Sequence, residues 1–442
     1  MTSKLLKTPR AWPSILLERA GAADPLDLDA AVKAGAFEGL RKAIRDLGPV
    51  AIIATVGASG LRGRGGAGFS TGDKWRLAAA TDAPRKYVVA NGYGADPASG
   101  TDRALLTLDP FAIVEGVAIA AVALGATESF IAVRSEDAAA IRGLEAAIAA
   151  ATDAGFIGLD VPGVGHDLLI TVRPVQGAYM LGEETVLLKA LEGKRGQPEQ
   201  RPPHPAERGL HGMPTVVHNV QTLAALGWIL RHGAEAFAAI GAYDCPGTIL
   251  VQVRTPAGEG IAEVPFGTKL RDIVDLGGAL PAGRSVKALL VGGPSGGLLP
   301  PDLLDTPYTF EALRTAGAHI GSGSVVVADD RACIVDLARL LTRFCAGEAC
   351  GKTIPCRIGT RRLVEIADRV VEGRPRPTDG ALLVDLSADI VASALCDHER
   401  LTTLPLTSGM RYFSTELDDH ILRSTCPAGV CQPIAVAVGA TS

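Results

Sequence analysis

The chain has no basic excess, no long apolar run and very little cysteine before residue 333. Its formal net charge is −5 over 442 residues. That argues against a general nucleic-acid binder, which carries a strong positive surplus. The best candidate for a membrane span, Gly116 to Ala126, is eleven uncharged residues between Glu115 and Glu128, where about 20 are needed. The start, MTSKLLKTPRAWPSILLERAG, has basic residues, but Pro9, Arg10 and Pro13 break its apolar stretch, so it does not read as a signal peptide. Internal repeats and low-complexity tracts are not evident. A cytoplasmic protein with no span of its own is the expectation, with docking to a membrane-bound partner left open.

Of eight cysteines, Cys245 stands alone and the other seven fall in the last 110 residues. A disulfide scaffold spreads its cysteines through a small secreted chain. Crowding in one tail points to metal instead. Apolar residues make up 47% and charged residues 21%, a globular balance. The length suits two to four domains.

Between Arg85 and Pro174 the pattern alternates. KYVVAN (86–91), SFIAVRS (129–135) and LLITVRPV (168–175) are short β-branched runs. Helical stretches lie between them, at about 111–124 and up to about Thr152. Strand, helix, strand, helix, strand predicts a parallel sheet with crossover helices, an α/β domain. From Cys245 to Pro301, GTILVQV and GIAEVPFG flank RTPAGE as a hairpin; a short helix (268–276) and the strand VKALLVGG follow. This reads as a β-grasp-like module. After Arg331 four helical segments suggest a small bundle. Linkers are expected near 232–246 and 302–330.

GLRGRGGAGF (60–69) places five glycines and two arginines in ten residues. Glycine lets a ligand approach bare backbone, and successive N–H groups in such a loop form an anion-binding concavity. Arg62, Arg64 and nearby Lys74 add charge. Because the loop precedes the first strand, it is not a Rossmann fingerprint. On composition alone, a flexible loop with solvated arginines is the competing reading.

GLRGRGGAGFSTGDKW, together with GAYMLGEETVLLKALEGKRGQPEQRPPHPAERGLHGMPTVVHNVQTLA (177–224), resembles the NADH-binding flavoprotein subunit of respiratory complex I. Related subunits of NAD-linked hydrogenases and formate dehydrogenases share these blocks. The similarity runs in order from about Ile53 to Pro433. It implies a Rossmann-like flavin domain (51–240) after an N-terminal helical segment (1–50), then a ubiquitin-like β-grasp domain (241–325) and a helical-bundle iron–sulfur domain (326–442). By position, Gly63, Arg64, Gly65, Gly66 and Lys74 would hold the phosphate and ring region of FMN. Asn91, Tyr179, Gly182, Glu183, Glu184, Val217 and Asn219 would complete the pocket, and Phe69 would stack on NADH. Taken alone, Glu183 and Glu184 also read as N-terminal charge on a helix.

The chain departs from the family pattern at several points. After the first strand it reads NGYGADPASGTDR, with Tyr93 and Gly94 in place of two acids and Asp96 in place of a longer third; in the family these acids line the flavin and dinucleotide side of the pocket, so the resemblance implies a cofactor contact for Asp96. Leu77 and His204 stand where the family has aromatics. His218 replaces the first Asn of a pair; a flavin contact and a structural role are both open for it.

The family pattern ESCGxCxPCR holds a [4Fe–4S] cluster through four thiolates, one about forty residues further on. Here the stretch is EACGKTIPCRIG. Cys350, Cys356 and Cys396 match, and Thr353 occupies the middle position. A hydroxyl is a poor iron ligand beside a thiolate. Cys345 moving in, a three-thiolate site with an incomplete cluster, and no cluster at all remain open. CPAGVC (426–431) is a thiol pair, a partial metal site or packing.

The resemblance therefore implies an NADH dehydrogenase-type oxidoreductase subunit. It would take hydride at FMN and send single electrons through the cluster to a ferredoxin-like or thioredoxin-like subunit of a larger redox complex. No catalytic acid or base is required. A flavoprotein whose donor is another subunit, and a scaffold paralogue that has lost NADH oxidation, are the alternatives.

Overall fold

A computed structural model describes residues 4–21 and 24–431; Pro433 and the end of the expected last domain lie outside them. Four parallel strands form the first sheet: β1 (Tyr87–Gly92), β2 (Glu128–Arg134), β3 (Leu169–Val175) and β4 (Thr215–Asn219). Their order is β3-β2-β1-β4. The three predicted strands fall within a residue or so of their expected places; β4 is an addition.

The chain winds outward from β1 through β2 to β3, then returns to place β4 on the other side of β1. That reversal opens a crevice at the carboxyl ends of β1 and β4, where Asn91 pairs in register with Asn219. Open α/β sheets bind ligands at such a switch point.

Helix Pro110–Leu124 fills the centre of this unit, buried along its whole length. Apart from the buried Glu115 its sequence is apolar on every side, with no solvent face to serve. The segment before residue 50 is not separate: Ile15, Leu16, Phe37 and Leu40 share the same core. The Glu263 carboxylate clamps that segment from the second sheet, accepting from the backbone N–H groups of Ile15 (2.7 Å), Leu16 (2.8 Å) and Leu17 (2.9 Å).

The second sheet has five strands in the order Gly297–Leu299, Val286–Val291, Ser324–Asp329, Thr248–Thr255, Gly258–Pro265. Thr248–Thr255 and Gly258–Pro265 form the expected hairpin, and Ser324–Asp329 runs parallel to the first of them. The two expected linkers are corrected here. Stretch 302–330 contains helix Phe310–Ala316, capped by Thr309, and the strand Ser324–Asp329; stretch 232–246 contains helix Ala234–Ala238 and a two-residue β-ladder. Beyond Asp329 the elements are helical. Helices Ile334–Gly347, Thr360–Val371, Asp379–Ser393 and Ser414–Arg423 match the predicted four, with the α-helices Asp397–Leu401 and Leu404–Tyr412 in addition. Among the described residues no single helix is long and apolar enough to cross a membrane.

Candidate functional site

The glycine loop hangs over the β1/β4 crevice. Two backbone bonds close its neck: the Gly63 N–H donates to the Phe69 carbonyl (2.8 Å) and the Thr71 N–H to the Leu61 carbonyl (2.9 Å). Past the neck, the N–H groups of Gly65, Gly66, Ala67 and Gly68 find no partner among the hydrogen bonds of the described residues. Buried backbone donors are rarely unpaired; here Gly65 and Ala67 are exposed, so their N–H groups are open to water or to a ligand. Four in succession make an anion nest. Helix Thr71–Ala80, capped by Ser70, begins three residues after Gly68, so its positive N-terminal end follows the loop closely.

The glycines differ in what the fold asks of them. Gly66 has φ +102°, and a Cβ there would lie 3.2 Å from the Gly321 carbonyl. Gly63 and Gly65 have no such constraint. A Cβ on Gly65 would meet only Asn219 Cβ at 3.5 Å, an ordinary contact. Chain packing leaves room for a side chain at both positions, and a ligand drawn against the backbone would fill that room.

The arginines correct the expectation that they charge the loop. Arg62 donates from Nε to the Gly68 carbonyl (2.8 Å) and pairs with Glu311 (2.9 Å). Arg64 is buried at 1% exposure. It donates to the carbonyls of Pro246 (2.7 Å) and Thr248 (3.3 Å), while its backbone N–H goes to Thr222 Oγ1 (2.9 Å). Burial lowers its guanidinium to about 10. Arg64 fastens the loop to the start of strand Thr248–Thr255, and Arg62 ties it to helix Phe310–Ala316.

Lys74 is a cation near the crevice, beside Arg201. Its Nζ donates to Glu184 (2.9 Å) and to the Val217 carbonyl (3.1 Å). Burial pushes the Glu184 carboxyl up, but Lys74 and Arg201 outweigh it and hold the group below the usual range. Glu183 is the N-cap of helix Glu184–Leu191, accepting from the N–H groups of Thr185 and Val186 at 2.9 Å each, and it also pairs with Arg201. Asn91 donates to the Gly182 carbonyl (3.3 Å), tying β1 to the Tyr179–Gly182 turn. Asn219 donates to Asp102 (2.7 Å). Gln221, not singled out from the sequence, holds the same carboxylate (2.9 Å) and accepts from the Leu250 N–H (2.9 Å). Phe69 is 55% exposed at the rim, with Lys74 Nζ 6.0 Å from its ring centre.

The departures have physical explanations. Tyr93 is a core residue whose hydroxyl donates to the Gly177 carbonyl (2.5 Å), and Arg134 lies over its ring. Asp96 is buried against Gly293; one carboxyl oxygen accepts from the Ala98 N–H (2.8 Å) and the other lacks a partner. Burial pushes it up to about 6. His218 accepts at Nε2 from the Trp75 indole N–H (2.8 Å). It sits with Val216 and Trp75 on one face of β4, while Val217 points to the other. Burial, then Lys74, hold it well below the ordinary histidine value, so the ring is neutral.

The cysteine tail adjoins this wall. Cys350 and Cys396 pack against the cluster of Met180, Leu181, Val186 and Val217. Tyr179 donates its N–H to Glu348 (2.8 Å), and its ring lies 5.5 Å from Phe344 and 5.6 Å from His398. Burial raises Cys356 to about 12, helped by Glu399, Cys396 and Cys350. Burial likewise raises Cys396 to about 11, with Cys350 again among its neighbours. Each of these thiols is close enough to the others for its charge to be felt by them. Cys345 is fully buried, and its charged neighbours are Asp96 and Glu348.

Thr353 is committed elsewhere. Its hydroxyl donates to Glu399 (2.7 Å) and accepts from the Cys356 N–H (3.3 Å). The thiols of Cys350, Cys356 and Cys396 are soft donors, whereas the Thr353 hydroxyl between them in sequence is already hydrogen-bonded within the protein.

Comparison with known proteins follows the same division. Residues 56–228 match the Nuo51 FMN-binding domain, and 336–420 match the NADH-ubiquinone oxidoreductase-F iron–sulfur binding region. The HndC component of the NADP-reducing hydrogenase of Solidesulfovibrio fructosivorans is 40% identical, over 94% of this chain and 85% of its own length. The second F-type component of NADH-quinone oxidoreductase from Rhizobium meliloti is 38% identical over 89% of this chain and 94% of its own. A solved NAD+-reducing [NiFe]-hydrogenase in the H2-reduced state superposes with a TM-score of 0.82 at 31% identity, over 95% of this chain and 68% of that one. Both halves of the site lie within these shared regions, and the chain belongs to the family that contains the F-type component of NADH-quinone oxidoreductase and the hydrogenase component HndC.

Proposed function

We propose that this chain is the flavoprotein electron-entry subunit of a larger redox complex, holding FMN in the β1/β4 crevice and accepting hydride from a nicotinamide dinucleotide. One observation carries the reading: four unpaired backbone N–H groups, Gly65 to Gly68, stand over a topological switch point. They would hold the phosphate, with Lys74 and the start of helix Thr71–Ala80 adding positive potential. Asn91, Tyr179, Gly182, Glu184, Val217 and Asn219 would line the ring region, and Phe69 at the rim would receive the dinucleotide. The Asn219–Asp102–Gln221 network keeps the end of β4 in place. Flavin supplies the exchange between two-electron hydride chemistry and one-electron transfer. The chain therefore has to bind, orient and exclude water, and no acid or base is assigned.

Cys350, Cys356 and Cys396 would bind an iron–sulfur centre next to that pocket. With Thr353 tied to Glu399, three thiolates suit a three-iron centre, or a four-iron one with a labile corner. A ferredoxin-like or thioredoxin-like subunit is the proposed outlet. The proposed division is a flavin domain with the N-terminal segment packed into its core, a β-grasp domain whose sheet extends to Asp329, and an iron–sulfur domain.

One observation favours a second reading of the donor. Tyr93 is core and Asp96 is buried, so the acids that would face a dinucleotide are missing on that side. A donor subunit in place of NADH fits this, whereas the comparisons lend no support to a cofactor-free scaffold. Anaerobic purification followed by absorption spectroscopy separates the cases. FMN bands bleached by NADH support the proposal. FMN that responds only to a partner subunit supports the second reading. Protein that takes up no flavin on reconstitution overturns both.

A further inference from the structure

Glu399 is a buried carboxylate with no cation beside it. Its exposure is 1%. Its Oε1 accepts from the Thr353 hydroxyl (2.7 Å) and its Oε2 from the Leu395 N–H (2.9 Å). The basic side chains nearest in sequence are spent elsewhere: Arg400 on Asp397 (2.6 Å), Lys352 on the Pro198 carbonyl (2.6 Å) and Arg357 on the Gly351 carbonyl (3.4 Å). Among the described residues no ion pair reaches Glu399. Buried charges are normally paired or bound to metal. We infer that Glu399 is the oxygen ligand of an exchangeable divalent metal ion at the open corner of the three-thiolate iron–sulfur centre. The inference rests on the reading of Cys350, Cys356 and Cys396 given above.

The sequence brings two oxygen side chains to that corner. Thr353 lies three residues from both Cys350 and Cys356, and Glu399 lies three residues after Cys396. One comes from each cysteine stretch, and they meet in the Thr353–Glu399 hydrogen bond. The Thr353 oxygen also accepts from the Cys356 N–H (3.3 Å), so its own proton goes to Glu399. Both Glu399 oxygens are then acceptors. A carboxylate offers about four lone-pair sites, and the two hydrogen bonds leave others free for a metal. The Glu399 charge is felt by both Cys356 and Cys396, so thiolates beside it call for a cation.

Helix geometry explains only part of this arrangement. Glu399 is the third residue of the short helix Asp397–Leu401, where a carboxylate reaching back to the chain before the helix is an ordinary contact. That contact uses Oε2 alone. It does not account for Oε1, buried against a side chain of the other cysteine stretch.

Thiolate is a soft donor and suits iron–sulfur centres, whereas carboxylate suits harder divalent ions. The ion held through oxygen is therefore the first to leave and the one that another divalent ion can replace. Cys350, Cys396 and Thr353 are partly exposed, which leaves it a path from solvent. The exchange balances. An oxidised three-iron core takes one electron from added dithionite, and the reduced core binds one ferrous ion through Glu399 with no further electron transferred. Ferricyanide removes one electron from the four-iron form, and the ferrous ion leaves as the oxidised three-iron core returns.

The test uses the full chain, reconstituted anaerobically with iron and sulfide and then treated with ferricyanide. About three irons per chain and the electron paramagnetic resonance signal of an oxidised three-iron centre are expected. After dithionite, wild-type protein should take up about one ferrous ion per chain, and the three-iron spectrum should disappear. Glu399→Gln removes the charge at nearly unchanged shape and should weaken that uptake at least about tenfold, with FMN and three-iron content unchanged. Glu399→Cys supplies a soft donor and should hold the fourth iron through ferricyanide treatment; it decides alone if Glu399→Gln does not fold. Ferrous uptake as tight in Glu399→Gln as in wild type, or a fourth iron lost from Glu399→Cys as readily as from wild type, overturns the assignment. A three-iron centre that takes up no ferrous ion overturns it too, and leaves the three-thiolate reading standing. Protein that retains no iron on reconstitution overturns both.

Discussion

Gly65 and Gly66 are neighbours with opposite expected responses to alanine. At Gly65 the backbone has no left-handed φ, and the nearest atom to a new Cβ is Asn219 Cβ at 3.5 Å. The chain alone tolerates the methyl, and a small gain of about 0.4–1 kcal/mol from a less flexible unfolded state is expected. A phosphate on the 65–68 amides would be pushed out by that methyl. Losing one charge-assisted hydrogen bond costs about 1.5–3 kcal/mol, which is about a 10- to 150-fold weaker Kd for FMN. At Gly66, φ +102° and Gly321 backbone at 3.2–3.3 Å oppose any side chain, and destabilisation of about 1–3 kcal/mol is expected. The assays are urea denaturation of the flavin-free protein and fluorescence titration with FMN. Gly65→Ala protein that binds FMN with unchanged affinity would refute the phosphate cradle. Gly65→Ala protein that unfolds would show that this glycine serves packing instead.

Three further outcomes follow from the geometry. Thr353→Cys places a thiol at the fourth corner, and iron content should rise from about three towards four per chain, with a matching change in the electron paramagnetic resonance signal; an unchanged ratio counts against a competent site. Burial raises Asp96 from 3.8 to about 6, so the fold prefers its protonated form, and the associated stability is complete below pH about 4 and lost as pH rises through about 6. Asp96→Asn should remove that dependence and gain up to about 3 kcal/mol at pH 8, and parallel urea-melt profiles of variant and wild type from pH 4 to 8 would contradict this. Phe69→Ala should raise KM for NADH about 2- to 13-fold through lost stacking of about 0.5–1.5 kcal/mol with FMN content unchanged; an unaltered KM would place the dinucleotide elsewhere.

The parallel sheet was legible because its first three strands are β-branched runs separated by helices of crossover length. β4 was not, because five residues inside GLHGMPTVVHN give too little periodicity to separate strand from loop. The strand SVVVAD (324–329) did carry a usable signal, and Thr309 before FEAL was a legible helix cap; together they show that 302–330 was never a linker. The glycine cradle was legible as bare backbone. The arginines inside it were misleading, since a guanidinium satisfies a carbonyl as well as a phosphate. What decides between them is Pro246 and Thr248, about 180 residues away in the chain. His218 shows what strand parity adds: next to Val217 on β4, it has to face the opposite side, and there it meets Trp75.

The substitutions near the flavin and the one among the thiols share a physical character. Each replaces a group that would face a cofactor with one that satisfies the protein itself. The Tyr93 hydroxyl is held by the Gly177 carbonyl, His218 by Trp75, and Thr353 by Glu399. A polar side chain left without its ligand usually costs stability, so a chain drifting away from cofactor binding would be expected to fill or close its anion nest as well. The 65–68 amides show no such repair: four N–H groups stay unpaired, and Gly65 keeps room for a Cβ that no side chain fills. Gly65 and Ala67 are exposed, so water serves those amides when no anion is bound and they need no repair. Under the proposed flavin placement, the chain's divergence falls at the donor-facing and cluster-facing edges of the pocket, and the room for a phosphate is kept.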